Sequence, residues 1–450
     1  MDKNSLYKLS ASESIKLIKS NQISILELIS SINDRVKEFN PKTNAWVSVN
    51  SQQSEKTAIE LDKKINSGMD ISPLFGIPIG IKDVFNTENF PTEMGSPLWK
   101  NFTSGNDSRV VYNLRMANAI ILGKTETAEF AVHALGKTKN PFDENLSPGT
   151  SSSGSAVAVA TEMVPISIGT QTGGSIIRPA SYCGVYGFKP SFGLIPRTGM
   201  LKTTDSLDQI GYFTRTVKDL ELIFDIIRVK GRDYPLTHIL DNAEKQNVSN
   251  RKWKICLVKS PVWDCAESYA QKNLESFVHN LSNYDIFDIS EFELPSQFDD
   301  AHLIHKIIYS KSLSYYFKEE LTKKSLISKI FYEFATDAKE ISLEKFDEAI
   351  QIQNKLRKIL NDIFSNFDII FSLSTASHAP LRTESEKDDP SLIWTLCGNP
   401  SVNIPVFNSP KGLPIGIQVI AKRFNDKLLL NFLNLLREKN LIPDIHHNFH

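Results

Sequence analysis

Apolar positions along this chain alternate between a helical repeat and short continuous runs. In residues 9–39 they recur three or four positions apart, which predicts two amphipathic helices separated near Asn21. Pro78, inside an apolar run, favours an edge or irregular strand. Strands that alternate with helices predict α/β layers around a mixed or parallel sheet. The runs predict strands over residues 45–49, 77–82, 119–123, 164–169 and 184–188, with helices over 56–66, 108–117 and 155–162.

The second half of the chain is richer in helical pattern. Residues 233–250 are polar and predict a loop, as do residues 375–390. Within the latter we interpret Arg382 and the acidic residues of 384–389 as a solvated surface. No internal repeat or low-complexity linker interrupts the chain, which favours one domain with the middle block as an elaboration. The pattern predicts strands over 254–258, 368–373, 401–406 and 415–420, and helices over 266–281, 296–365 and 427–439.

Composition narrows the classes of function. The 450 residues carry a formal net charge of −1, so no overall charge favours binding to nucleic acid or an anionic membrane. The four cysteines form no CxxC pair and the nine histidines form no HExxH motif, which argues against a zinc site. Scattered cysteines are typical of the cytoplasm. No apolar run reaches the roughly 18 residues of a membrane span, and the N-terminus lacks the apolar core of a secretory signal.

Two glycine- and serine-rich loops lie within residues 147–180, separated by a small apolar segment. Glycines before Ser175 allow consecutive backbone N–H groups to point into one cavity, which an oxyanion hole requires. The serine run 151–155 supplies further hydroxyl groups. Taken separately, each loop also fits an ordinary turn or helix cap, and Lys82 at the end of an apolar run also fits a surface lysine.

A serine nucleophile without a histidine motif needs another base. At a reference pKa of about 10.4, only about one lysine in 2,500 is neutral at pH 7. Burial lowers a lysine pKa by up to ~3–5 units, which makes the neutral form abundant. A second serine hydroxyl can carry the proton between the amine and the nucleophile, since hydroxyls both donate and accept. Lys82 together with the two serine loops therefore suggests a hydrolase.

Eight short segments of the chain form a recognisable set of motifs: GIPIGIKD (76–83), PTEMGSP (91–97), GKTETAEF (123–130), GTSSSGSA (149–156), GTQTGGSIIRPA (169–180), GVYGFKP (184–190), SLDQ (206–209) and GLPIG (412–416). These motifs resemble those of the amidase signature family, whose enzymes use a Ser–cisSer–Lys triad. The resemblance extends over about residues 8–437 and is weakest between 232 and 390. It implies an α/β fold with a large mixed β-sheet core flanked by helices on both faces. We accordingly expect one amidase domain over residues 1–450, with 232–390 a divergent helical elaboration that shapes the substrate pocket.

The resemblance implies a role for each site residue. Ser175 is the nucleophile, Ser151 is the bridging serine 24 residues before it, and Lys82 is the general base. The backbone N–H groups of the preceding loop form the oxyanion hole. These roles require no metal or cofactor. The oxyanion-hole residues are Thr172, Gly173 and Gly174.

The chain departs from the family pattern beside these residues. Gln171 stands where an aspartate is usual, and Ile177 stands where an arginine is usual, with Arg178 one place later. We hypothesise that losing both charges together avoids leaving either one buried and unpaired. Thr150 and Ser153 replace glycines of the serine loop, which makes the shape of that loop harder to predict.

The sequence therefore predicts a cytoplasmic amidase that cleaves small carboxamides, with no nucleic-acid or membrane partner. One alternative is the amidase subunit of a tRNA-dependent amidotransferase, although residues 300–400 show no clear counterpart of that subunit's glutamine-binding residues. Another is a non-catalytic protein that binds an anion in the glycine loops. His378 and Cys397 are weaker candidates for the pocket, and ordinary packed or surface positions explain them better. The oligomeric state, a homodimer included, stays open.

Overall fold

The computed structural model describes residues 3–67, 70–230, 251–447 and 449, and an eleven-stranded sheet forms the centre of this part of the chain. The predicted loop at 233–250 lies outside the described residues. In spatial order the sheet reads β1-β3-β2-β4-β6-β5-β10-β11-β9-β7-β8. The strands are β1 Trp46–Val49, β2 Pro78–Lys82, β3 Ile120–Thr125, β4 Ile166–Gln171, β5 Tyr186–Lys189, β6 Gln209–Thr214, β7 Trp253–Lys259, β8 Phe287–Glu293, β9 Ile369–Leu373, β10 Ser401–Asn408 and β11 Pro414–Ala421.

The sheet is mixed, as the sequence predicts. Two parallel triplets, β3-β2-β4 and β9-β7-β8, lie at either side of an antiparallel centre. Strand β2 lies between β3 and β4, so the edge position suggested by Pro78 is wrong. Proline is tolerated here because it occupies the first position of the strand, and the register shifts between Ile79 and Gly80, which confirms the expected irregularity.

Helices surround the sheet, and no helix among the described residues is long and apolar enough to cross a membrane. Shorter 3₁₀ turns connect several of the elements. The α-helices are α1 Ala11–Lys19, α2 Ile25–Thr43, α3 Ser51–Asn66, α4 Arg109–Met116, α5 Ser153–Ala160, α6 Ile177–Tyr182, α7 Val217–Ile227, α8 Ser268–Leu281, α9 Ala301–Tyr316, α10 Lys329–Thr336, α11 Leu343–Ile363, α12 Leu392–Cys397 and α13 Asp426–Glu438.

Alternate residues of the central strands belong to two separate hydrophobic cores. In β9, Ile369 and Phe371 pack in the larger core with residues of α2, α7, α8 and α13, whereas Ile370 packs in the second core with residues of α9, α11 and α12. Successive side chains of a strand point to opposite faces. Helices therefore cover both faces, which confirms the predicted α/β/α sandwich.

Candidate active site

Lys82 lies at the carboxyl end of β2, next to the end of β4. Because the two strands are parallel, with Ile81 opposite Ile168, their carboxyl ends meet at the same edge of the sheet. The side-chain nitrogen Nζ of Lys82 lies 2.7 Å from Thr170 Oγ1 on β4. Strand pairing thus brings the predicted base to the segment that leads into the loop of Ser175.

The serine loop reaches the same nitrogen from the start of α5. Ser151 Oγ lies 2.8 Å and Ser152 Oγ 2.9 Å from Lys82 Nζ. The peptide bond between Thr150 and Ser151 is cis. The residues of α5 are small, which allows the helix to lie buried beneath the sheet edge; Gly154 has no room for a Cβ because the backbones of Ala45 and Glu126 lie against it.

Hydroxyl groups are the hydrogen-bond partners of Lys82 within the described ranges, and no carboxylate pairs with it. Its side chain is fully buried. Desolvation by this burial holds the pKa of Lys82 well below its ordinary value, although the charge of Asp208 opposes the shift. A buried amine among neutral hydroxyls is the environment that stabilises an uncharged lysine.

The two serines differ in how far their hydroxyls are engaged. Ser152 Oγ donates to the Thr170 carbonyl at 3.0 Å and accepts from the Thr170 N–H at 3.2 Å, in addition to its contact with Lys82. Ser151 Oγ contacts Lys82 and makes no other hydrogen bond within the described residues. Ser152 therefore holds the loop against β4, while the Ser151 hydroxyl stays available to a further partner.

Gln171 holds the loop between β4 and α6 that carries Ser175. Its Oε1 accepts from the backbone N–H groups of Ile176 at 2.7 Å and Ile177 at 3.0 Å, while its Nε2 donates to Thr395 at 2.8 Å. An uncharged amide thus satisfies the first donors of α6. Ile177 is fully buried, where an unpaired charge would be costly, which agrees with the hypothesis that both charges were replaced together.

The carbonyl groups of the loop before Ser175 are held away from it. Thr172 O accepts from His305 Nε2 at 2.7 Å, Gly173 O from Thr395 at 2.6 Å, and Gly174 O from the N–H of Arg178 at 2.9 Å. Burial lowers the pKa of His305 to about 4, so its ring is neutral at pH 7. Within the described chain, no hydrogen bond engages the N–H groups of the three predicted oxyanion-hole residues.

Ser175 opens onto a cavity of about 300 Å³. Its Oγ makes no hydrogen bond to Ser151 or to any other described residue; catalytic hydrogen bonds commonly tighten only when substrate is bound. Helix α9 supplies one wall. Lining residues besides the loop itself include Ala131, His133, Arg178, His302, Leu303, His305, Lys306, Tyr309, Phe334, Asp388, Asp389 and Leu392.

The acidic segment predicted to be a solvated surface is part of this site, so that interpretation is wrong for two of its residues. Buried Arg178 pairs with Glu386 at 2.9 Å and with Asp389 at 3.2 Å. Its Nη2 also donates at 3.0 Å to the Thr150 carbonyl, directly before Ser151. The segment folds inward because the arginine, displaced by one position from the family pattern, needs buried partners.

Sequence reasoning missed Thr170 and the contribution of α9. His302, His305 and Tyr309 are spaced three and four positions apart, so one helix face carries them towards the site, a spacing the sequence displays. His378 instead bonds Tyr269 at 2.6 Å, and Cys397 is packed in the second core. Among the described residues, no group of histidine, cysteine and acidic side chains could hold a metal ion.

Comparisons with known proteins identify the family and the fold of the chain. The profile of the Amidase family matches residues 27–430. A glutamyl-tRNA(Gln) amidotransferase subunit of Clostridium acetobutylicum is 31% identical, with 95% of this chain and 96% of that protein covered. The solved structure of a glutamyl-tRNA(Gln) amidotransferase subunit of Thermotoga maritima is 26% identical with a TM-score of 0.77, covering 98% of each chain. A bacterial aryl acylamidase of the amidase signature family has a TM-score of 0.82 at 21% identity, covering 96% of each chain.

Proposed function

The chain belongs to the amidase family, and on that premise we propose that it hydrolyses the C–N bond of a small carboxamide through an acyl-enzyme on Ser175. The observation that carries the proposal is the buried Lys82 amine, surrounded by hydroxyls at the edge of the sheet where the nucleophile loop begins. Such an environment favours a neutral lysine, which can act as a base at neutral pH.

Ser151 is the proposed relay. Because the Ser152 hydroxyl already donates to the Thr170 carbonyl, Ser152 accepts from the lysine amine. The Ser151 hydroxyl is then free to donate its proton to the lone pair of neutral Lys82 while it accepts the proton of Ser175. The contacts support this assignment, and the family resemblance implies the same residue.

In the proposed reaction, Ser175 Oγ attacks the amide carbonyl carbon as its proton passes to Ser151 and the Ser151 proton passes to Lys82. The backbone N–H groups of Thr172, Gly173 and Gly174 stabilise the oxyanion. The relay returns a proton to the departing nitrogen, the C–N bond breaks, and the amine leaves. Water then attacks the Ser175 ester with the same relay, which releases the acid and restores the serine.

Labelling with a fluorophosphonate, followed by peptide mass spectrometry, tests the assignment. We expect one adduct on Ser175 in the native protein, loss of both labelling and amide hydrolysis in Ser175→Ala, and no change in Ser282→Ala, a control at an exposed serine. Labelling that persists in Ser175→Ala, or amide hydrolysis that survives in it, contradicts the proposal.

A second candidate is the amidase subunit of a glutamyl-tRNA(Gln) amidotransferase, which the names of the most similar relatives favour. In that role the same triad would release ammonia from glutamine for a partner protein. Ammonia release from glutamine that depends on a co-purifying partner would support it. Hydrolysis of simple carboxamides by the isolated chain, without glutaminase activity, would rule it out in favour of the first candidate.

A cytoplasmic location and a single domain over residues 1–450 are part of the same proposal. All four cysteines are unpaired thiols, as expected in a reducing compartment. Cell fractionation tests the first, and a single cooperative unfolding transition, seen identically by two probes, tests the second.

A further inference from the structure

Two consecutive peptide groups of the nucleophile loop are each held by one side chain from a distant part of the chain. His305 on α9 bonds the Thr172 carbonyl at 2.7 Å, and Thr395 on α12 bonds the Gly173 carbonyl at 2.6 Å. Both peptide bonds are trans, so each N–H is directed away from the C=O of the same peptide group. The two contacts therefore fix the directions of the Gly173 and Gly174 N–H groups.

The hydrogen bond from His305 needs one particular form of its ring. A carbonyl oxygen only accepts, so the ring nitrogen Nε2 carries the proton. Burial lowers the pKa of His305 to about 4, which leaves the ring neutral at pH 7 and Nδ1 without a proton. A neutral donor therefore holds the Thr172 carbonyl without placing a full positive charge beside the loop.

The direction of the Thr395 hydroxyl proton is set by Gln171. Because Gln171 Oε1 accepts from two backbone N–H groups at the start of α6, its Nε2 is the atom that donates to Thr395 Oγ1, at 2.8 Å. The hydroxyl therefore accepts from Gln171 and directs its own single proton to the Gly173 carbonyl. An aspartate, the usual residue of the family at position 171, has no side-chain N–H and would compete for that proton.

The holding contacts are buried, whereas the N–H groups that they direct have no partner. Gln171 and Thr395 are fully buried, and His305 is 5% exposed. Hydrogen bonds in such surroundings are electrostatically stronger than in water. Among the described residues, nothing accepts from the N–H groups of Gly173 and Gly174. An N–H group in a mostly buried loop is rarely left unpaired, so these two indicate an acceptor supplied by the substrate.

We propose that His305 and Thr395 are positioning residues that direct the oxyanion-hole N–H groups at the developing oxyanion, and that Gln171 acts through Thr395. The inference rests on the proposed amidase function and adds to it side chains that do not touch the reacting atoms. Donors that are held in place before the reaction need no reorganisation as charge develops on the substrate oxygen. Removal of a holding contact should therefore slow catalysis more than it weakens substrate binding.

Two probes with the same alkyl chain separate catalysis from binding. Hexanamide reports turnover in the active protein and, in the Ser175→Ala background, binding by calorimetry. Pentyl trifluoromethyl ketone reports the oxyanion, because Ser175 Oγ adds to its carbonyl carbon, the serine proton passes to the relay, and the carbonyl oxygen becomes an anion. A loss of oxyanion stabilisation lowers kcat and the affinity for the ketone together, and leaves hexanamide binding nearly unchanged.

Two substitutions test the histidine. His305→Phe removes the donor and keeps a ring, whereas His305→Gln keeps an N–H donor of similar reach. We expect His305→Phe to lower kcat and the affinity for the ketone about 10–10²-fold, with hexanamide binding changed less than about twofold. His305→Gln should recover most of the loss. His279→Phe, at an exposed histidine of α8, should match the native protein.

Three substitutions test the hydroxyl of Thr395 and its direction. Thr395→Val removes the donor and Thr395→Ser keeps it, so we expect about a tenfold loss of kcat and of ketone affinity in the first and near-native values in the second. Gln171→Glu, which keeps the size but not the N–H donor, should behave like Thr395→Val. Thr43→Val, at another buried threonine whose hydroxyl donates to a backbone carbonyl, should have native kcat.

Native kcat in His305→Phe or in Thr395→Val would overturn the inference. Equal losses of ketone and hexanamide binding would also overturn it, because a general distortion of the cavity produces that result. Normal turnover by the native protein with unaffected variants refutes the positioning role alone and leaves the amidase function standing. A native protein that neither hydrolyses amides nor reacts with a fluorophosphonate at Ser175 would instead refute the proposed function itself.

Discussion

Two buried lysines on neighbouring parallel strands have opposite surroundings. Lys82 ends β2 and Lys124 lies on β3, and both side chains are 0% exposed. Lys124 Nζ lies 2.9 Å from the Asp83 carboxylate and also donates to two backbone carbonyls and to Thr92. Lys82 Nζ lies among three hydroxyls.

The different surroundings of Lys82 and Lys124 show that burial alone does not make a lysine a base. Burial lowers the pKa of both lysines, but at Lys124 the contacting Asp83 carboxylate opposes the shift. The Lys124 contacts therefore suit a charged structural amine that holds the loop after β2, whereas the hydroxyls around Lys82 suit a neutral amine that exchanges protons.

Replacement of Lys82 should have the largest effect on activity. Lys82→Met removes the proposed base, and we expect kcat for amide hydrolysis to fall by about 10²–10⁴-fold while the protein still folds. Steady-state kinetics and circular dichroism measure the two outcomes. A variant that keeps near-native kcat would exclude Lys82 as the base.

Replacement of Lys124 should instead act on stability. Lys124→Met leaves the buried Asp83 carboxylate without its cation, so we expect the free energy of unfolding to fall by about 3–5 kcal/mol. Adding Asp83→Asn should restore part of the loss. Denaturant unfolding measures the stability of both variants. If Lys124→Met alone were as stable as the native protein, the proposed structural role of the Lys124–Asp83 ion pair would be wrong.

The pH dependence of stability distinguishes the two sites further. The folded-state pKa of Lys82 is lowered from its ordinary value near 10.4, so between those two values the unfolded chain binds more protons and stability increases with pH. The cost of burying Lys82 is therefore complete below the folded pKa and disappears above the unfolded one. From neutral pH towards about pH 10, the free energy of unfolding of the native protein should increase relative to that of Lys82→Met. If the two free energies changed with pH in parallel, the lowered pKa of Lys82 would be contradicted.

A matched pair of threonines gives the smallest expected effect. Thr170→Val removes a hydroxyl 2.7 Å from Lys82, and Thr92→Val removes one 2.8 Å from Lys124. We expect the first to lower kcat up to about tenfold, and the second to lower the unfolding free energy by about 1–3 kcal/mol with kcat unchanged. If Thr92→Val lowered kcat and Thr170→Val did not, the division of roles would be reversed.

The sequence predicts the layers of this fold and the segments of its site because those depend on local pattern. The sequence did not predict strand β8, because its residues are mostly exposed at the edge of the sheet. It did not predict α12, because this helix is short and buried and shows no helical repeat. The inward fold of Glu386 and Asp389 depends on a partner, Arg178, that lies more than 200 residues away along the chain.

The same dependence on long-range contacts explains why the sequence does not distinguish the roles of the two lysines. Each lysine is the middle residue of a short motif at the end of its strand, IKD at 81–83 and GKT at 123–125. The two motifs look alike in sequence. Only strand register and loop packing decide that Asp83 faces Lys124 and not Lys82, its chain neighbour. Long-range contacts of this kind cannot be read from periodicity or propensity.

The protonation state of Lys82 tests the central claim most directly. Incorporation of ¹³Cε-labelled lysine, with the Lys82 signal assigned by its absence in Lys82→Met, gives a titration of this amine in the folded protein by NMR. We predict that Lys82 titrates well below the ordinary lysine value near 10.4. A Lys82 signal that titrates at or above that value would show a charged amine at neutral pH and would contradict its role as the base.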